Sequence, residues 1–261
     1  SYALCEPCAV AARADVTSTP TMTLDAMQTP FPVFSRGHAF RVLAANEMYH
    51  PSWWSHMDEV ETRELWWHVK PGDVVADVGA DFGSYTLSAL AQGASRVLAW
   101  SPPFKHPTDA IECAVLGASA KLNGWLDKLN LYPSGLWSTA GFLAAFDGPR
   151  LPQFHVTPMG AKSAIAVQPG NCATFPVSKL DSHNLPRLDW LKIDTEGCEM
   201  AVLNGGIETM RRCKPRILFE NHVHLIPDCE AQCRAILEPL GYRWEGTRPH
   251  HTISHTLMVP A

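Results

Sequence analysis

The chain has 261 residues, 46% apolar and 18% charged, with a formal net charge of -5. That balance is globular, with room for one large domain or a domain plus an extension, and no apolar run approaches the ~18 to 20 residues of a membrane-spanning helix. The acidic balance excludes the broad basic field that a phosphate backbone requires, so no nucleic acid is expected as a partner.

Residues 1–45 read as an N-terminal extension and residues 46–261 as the main domain, because Ser1 to about Arg36 is rich in Ala, Thr and Pro without a clear period. The chain starts at Ser1 without a methionine. Removal of a targeting peptide would account for that start and would place the protein in an organelle interior; a trimmed methionine or a cut boundary would leave the compartment open. Cys5 and Cys8 have metal-ligand spacing, and Cys229 and Cys233 would share a helix face. A zinc site would need both pairs to meet, so buried thiols are expected instead and no metal ligand is assigned.

From Ser52 to Val69, bulky apolar residues including Trp53, Trp54, Trp66 and Trp67 alternate with acidic ones, which predicts an amphipathic helix whose tryptophans belong to the core. A turn at Pro71-Gly72-Asp73 leads into Val74–Val78, a short β-branched run that predicts a buried strand. A tight loop, Gly79 to Gly83, a helix from Ser84 to Gln92 and a strand from Arg96 to Trp100 complete a βαβ unit. A helix from Pro107 to Asn123 and a strand from Lys128 to Tyr132 follow, and then a strand-rich but irregular middle from Pro133 to Leu180.

The last third predicts a strand at Leu188–Ile193, a helix at Glu199–Arg212 and a strand at Arg216–Phe219. A helix at Asp228–Leu240 and a hairpin through Tyr242–Glu245 and Thr252–Val259 close it. The basic run Arg211-Arg212-Cys213-Lys214 falls at a helix end, where cations complement the helix dipole. Alternating strands and helices predict an α/β fold with a mostly parallel sheet covered on both faces, whose ligands bind beyond the carboxyl ends of the strands.

Chemistry-bearing residues cluster at those ends: Asp77 to Gly83, Ser101, Asp194 to Glu196, and Glu220 to His222. A dinucleotide fingerprint wants glycine at its first, third and sixth positions, where this loop has Gly79, Asp81 and Ser84, which disfavours a nicotinamide enzyme. Carboxylates such as Asp77 and Asp81 suit a ligand with an amino group and sugar hydroxyls. Asp194, Glu196 and Glu220 would equally serve as turn caps or helix-dipole partners, or gather around a magnesium ion.

Three separated blocks resemble the FkbM family of S-adenosylmethionine-dependent O-methyltransferases: Gly72 to Ala80, Leu188 to Gly206 and Lys214 to His222. The resemblance covers about Glu64 to Glu245 and implies a class I methyltransferase, a Rossmann-like three-layer sandwich with a C-terminal antiparallel hairpin. It implies S-adenosylmethionine as cofactor, with Asp77, Gly79, Asp81, Gly83, Ser101 and Asp194 at the donor site. It also implies methyl transfer to a hydroxyl of a small molecule or glycan, with Glu196, Glu220 and His222 around the acceptor. His222, with an ordinary pKa near ~6.5, is then the expected base, oriented by Glu220 or Glu196.

Two positions depart from the family pattern. Ser101 stands where an acidic residue usually accepts hydrogen bonds from the donor's ribose, and Asp81 stands where asparagine is more usual. By sequence, Asp81 is the nearest substitute for the missing carboxylate, and Trp100 is placed to stack on an adenine. The departure at Ser101, with the Trp- and Pro-rich N-terminal region, motivates an alternative: an inactive methyltransferase fold serving as an accessory or scaffold subunit, meeting other subunits through its extension.

Overall fold

The computed structural model describes residues 30–43, 58–102, 110–146, 157–158, 172–250 and 253–261. Cys5, Cys8, Trp53, Trp54 and the stretches 154–156 and 164–167 lie outside them.

Two strands, β1 (Phe31–Ser35) and β2 (His38–Val42), form an antiparallel hairpin that the sequence did not announce. Its turn is Arg36-Gly37, both at positive φ (52° and 77°), the twist that a two-residue hairpin needs. Alternate residues Val33, Phe40 and Val42 enter the core. Helix α1 (Asp58–Trp66) follows, and beyond it Trp67 is fully enclosed against Tyr85 and Trp190, in keeping with the core role expected of it.

The central unit runs β3 (Val74–Val78), α2 (Ser84–Ala91), β4 (Arg96–Trp100), α3 (Ala110–Leu122) and β5 (Leu129–Tyr132). The irregular middle forms a separate four-stranded sheet of β6 (Gly135–Leu136), β7 (Gly141–Phe146), β8 (Thr157–Pro158) and β9 (Cys172–Ser178), in the order β6-β9-β7-β8. The chain returns to the main sheet through β10 (Trp190–Ile193), α4 (Glu199–Asn204), α5 (Ile207–Cys213), β11 (Arg216–Asn221) and α6 (Cys229–Leu237). It ends with β12 (Tyr242–His250) and β13 (Ile253–Pro260).

The main sheet has seven strands in the order β12-β13-β11-β10-β3-β4-β5. From β11 to β5 the pairings are parallel, and β13 is antiparallel to both β11 and β12. This is the expected α/β sandwich with its C-terminal hairpin. Strand order reverses at β3, which lies between β10 and β4, so the carboxyl end of β3 is a topological switch point. One face carries Val75, Val97, Leu116 and Trp190, and the other Ala76, Leu98, Leu191 and Phe219, which gives two apolar layers. Among the described residues no helix is long and apolar enough to cross a membrane.

Two elements differ from their sequence reading. The helix expected over Glu199–Arg212 is two helices, α4 and α5, separated at Gly205-Gly206. Two consecutive glycines are poor helix formers, and a Cβ on Gly205 would lie 2.1 Å from the Trp137 carbonyl oxygen, so the close crossing requires glycine where the helix ends. The helix expected to Leu240 is α6 followed by a 3-10 turn at Glu238–Leu240.

Candidate active site

The loop after β3 is pressed onto its neighbours. A Cβ on Gly79 would lie 1.7 Å from the Asp194 carbonyl oxygen, and Gly79 has a φ of +82°, so both space and backbone conformation require glycine. The Gly79 and Ala80 amides both donate to the Trp100 carbonyl at 2.9 Å, which ties the loop to the end of β4. Asp81, at the loop's exposed tip, has a φ of +49°. Gly83 leads into α2 and abuts Leu116 of α3.

Asp77 is fully enclosed, and its Oδ2 accepts the Thr86 hydroxyl at 2.6 Å. It therefore fixes the first turns of α2 beneath the loop.

A second group forms beyond β10 and β11. Parallel pairing brings the ends of these strands together, so Asp194, Glu196, Glu220 and His222 share one rim. His222 Nε2 lies 3.4 Å from Glu196 Oε2, 3.5 Å from Glu220 Oε1 and 3.7 Å from Asp194 Oδ1. Its Nδ1 lies 3.2 Å from Glu199 Oε1, and Glu199 is itself fully buried at the start of α4. That carboxylate also accepts the amides of Thr195 and Gly197, which holds the Asp194–Cys198 turn in shape. Lys192 Nζ lies 2.8 Å from Asp194 Oδ2 and over the Tyr85 ring, and His255 Nε2 faces Glu220 Oε2 at 3.5 Å.

Electrostatics follow from this crowding. Burial disfavours the imidazolium of His222, but the Glu199 hydrogen bond and the charges of Asp194 and Glu220 outweigh it and raise its pKa to about 10. Burial likewise works against the charged form of Asp194, yet the Lys192 ammonium and His222 bring its pKa down to about 2. These charges favour the imidazolium of His222 over the neutral imidazole that a resting base would need. Ligand atoms of Asp194, Glu220 and His222 all lie within 4.8 Å of one another, close enough to share a metal ion. The cluster's negative charge can therefore be balanced by the His222 proton or by a divalent cation.

Ser101 lies at the end of β4, almost fully buried, and its hydroxyl donates to Glu112 Oε2 at 3.1 Å. Trp100 is enclosed, stacked on Tyr132 with centroids 4.9 Å apart and edge-on to His183. That ring is committed to the core, so it does not offer a face to an adenine as the sequence suggested. Cys229 and Cys233 are buried, with Cys229 Sγ 3.6 Å from Glu199 Oε2 and Cys233 Sγ 3.7 Å from Met200 Sδ.

Sequence reasoning missed Glu112, Lys192, Glu199 and His255. Glu199 carried a signal, an acidic residue opening a helix just after the Asp194-Glu196 pair, while His255 becomes visible only through its register opposite Glu220.

A family model for the methyltransferase FkbM domain matches residues 77–243. No curated protein matches the chain. Among solved structures, a methyltransferase FkbM from Methylobacillus flagellatus KT aligns with a TM-score of 0.52 at 15% identity, over 74% of this chain and 45% of that one. A protein from Streptococcus mutans described as a SAM-dependent methyltransferase aligns at 0.51 and 10% identity, over 89% and 56%. A methyltransferase solved in complex with SAH aligns at 0.52 and 9% identity, over 88% and 56%. The chain spans about half the length of these structures, and at such identities the likeness is one of fold.

Proposed function

The chain belongs to the FkbM methyltransferase family, and on that premise we propose that it transfers a methyl group from S-adenosylmethionine to a hydroxyl oxygen of a small molecule or glycan. One observation carries the reading. The Gly79 loop is seated against the Asp194 carbonyl, so the glycine loop and the carboxylate–imidazole cluster adjoin at the switch point of the sheet, where such folds bind their ligands.

The residues present fit such a donor. Asp81 on the loop and Asp194 at the end of β10 would hold its ammonium group, and Ser101 would lie toward its sugar. Gly79 and Gly83 let the backbone approach, and Asp77 braces the loop from below through Thr86. When bound, the donor supplies an electrophilic methyl group on a positively charged sulfur. A rim rich in carboxylates favours that charge over a neutral or anionic ligand.

Transfer to a hydroxyl is an in-line displacement in which alignment lowers the barrier and a base takes the acceptor proton. Because the surrounding carboxylates favour the imidazolium of His222, we assign that role to a carboxylate. Glu196 is the one most open to an incoming acceptor, with 40% of its side chain exposed, and it lies 3.4 Å from His222 Nε2. In this arrangement His222 orients Glu196, Glu199 orients His222, and the roles expected from the sequence are exchanged.

Calorimetric titration with S-adenosylmethionine and S-adenosylhomocysteine tests the proposal. Both are expected to bind, and failure of both to bind at millimolar concentration would end it in favour of the accessory-subunit reading.

A further inference from the structure

In doubly wound sheets, an acidic side chain at the end of the strand after the glycine loop accepts hydrogen bonds from a ligand's ribose hydroxyls. Here that strand is β4, and the residue at its end is Ser101. One hydroxyl offers two lone pairs and spends its proton elsewhere, whereas a carboxylate offers about four acceptor positions. The end of β4 therefore lacks the group its place in the fold calls for.

The adjoining helix brings one there. Glu112 lies in the first turn of α3, and its Oε2 accepts the Ser101 hydroxyl at 3.1 Å. Ser101 is anchored on its other side, where its carbonyl accepts the Cys113 thiol at 3.3 Å and its amide donates to the Tyr132 carbonyl at 3.1 Å. Glu112 and Leu116 are four residues apart and so share one face of α3. Leu116 is the residue that meets Gly83 of the donor loop, where a Cβ on the glycine would come within 2.2 Å of its Cδ1. The same helix face thus meets both the glycine loop, through Leu116, and the end of β4, through Glu112. Glu112 is only partly buried, and Ser101 holds its carboxylate beside the end of β4.

We infer that Glu112, held by Ser101, is the receptor for the vicinal hydroxyls of the donor's ribose, its carboxylate delivered from helix α3 instead of from strand β4. The inference rests on the donor reading above and adds a specificity residue to it: the site takes a ribonucleoside and rejects its deoxy form.

The test titrates the full chain with S-adenosylhomocysteine and with its 2′-deoxy and 3′-deoxy analogues. The unmodified chain is expected to bind the ribose form about ten- to a hundredfold more tightly than either analogue, the range of one charge-assisted hydrogen bond. Glu112→Ala is expected to lose a similar factor for S-adenosylhomocysteine and to bind all three ligands alike. Adding Ser101→Asp to that variant returns a carboxylate to the end of β4 and should restore the preference. If Glu112→Ala does not fold, Glu112→Gln, with the same shape and no charge, carries the same expectation. A Glu112 variant that keeps both affinity and discrimination overturns the inference while the donor reading stands. An unmodified chain that binds none of the three ends both.

Discussion

The Nδ1 of His222 lies 3.2 Å from Oε1 of Glu199, a carboxylate with no exposure to solvent. This pair fixes the direction of the imidazole, so its other nitrogen points at Asp194, Glu196 and Glu220. Four carboxylates converge on one ring, and Glu199, Asp194 and Glu220 raise its affinity for a proton. Protons in such a cluster belong to the group as a whole, which makes its members interdependent.

His222 is expected to remain an imidazolium through neutrality and to titrate toward about 10 instead of 6.5. Its folded pKa is raised, so the stability it contributes is fully present below 6.5 and is lost as pH rises through about 10. Ring-carbon chemical shifts followed by NMR read the midpoint directly. A midpoint near 6.5 would show that the carboxylates do not govern the ring.

Removing the imidazolium leaves the buried carboxylates without their shared cation. His222→Ala is expected to cost about 3 to 5 kcal/mol of stability at pH 7, the penalty for orphaning a buried ion pair. The deficit should shrink as acid neutralises the carboxylates. Urea unfolding at pH 7 and pH 5 measures both, and equal stability of variant and parent at pH 7 would refute the coupling.

Glu196→Gln is expected to lower methyl transfer by about 10² to 10⁴, the usual contribution of a general base, with donor affinity changed far less. Radiolabelled methyl transfer to a panel of hydroxylated acceptors, alongside titration with S-adenosylhomocysteine, separates the two effects. Undiminished transfer would remove Glu196 as the base.

Gly79→Ala places a methyl group 1.7 Å from the Asp194 carbonyl oxygen at a φ of +82°. Relief requires the loop or the end of β10 to move, with an expected loss of about 2 to 4 kcal/mol and a marked fall in donor affinity. Denaturant unfolding within about 0.5 kcal/mol of the parent, the range of a neutral substitution, would contradict the close packing.

Thr86→Val keeps the volume but withdraws the hydroxyl that Asp77 Oδ2 accepts at 2.6 Å in a fully enclosed setting. The expected cost is about 1 to 3 kcal/mol, the desolvation penalty of a buried acceptor that loses a donor. Urea unfolding measures it, and no change would mean that Asp77 does not depend on Thr86.

Much of the framework was legible because it depends on local chemistry. β3, β4 and β10 are short runs rich in apolar and β-branched residues, bounded by turns, and such runs bury themselves in a parallel sheet. The hairpin of β1 and β2 was not legible, since Arg36-Gly37 lacks the Asn-Gly or Asp-Gly pattern that usually marks its turn. The Gly205-Gly206 pair did carry a signal for the break between α4 and α5, but nothing near it shows that Trp137 passes there.

The sequence by itself determined the alternation of strands and helices, the glycine loop and the carboxylates at the strand ends, because residue periodicity and turn chemistry act over a few neighbours. Only the tertiary structure decided how those groups behave. Strand pairing and helix docking place Glu199 behind His222, Lys192 beside Asp194 and Glu112 beside Ser101. Charge interactions and hydrogen bonds depend on separation in space, so the raised pKa of His222 and the carboxylate beside the end of β4 arise from residues that no local pattern joins.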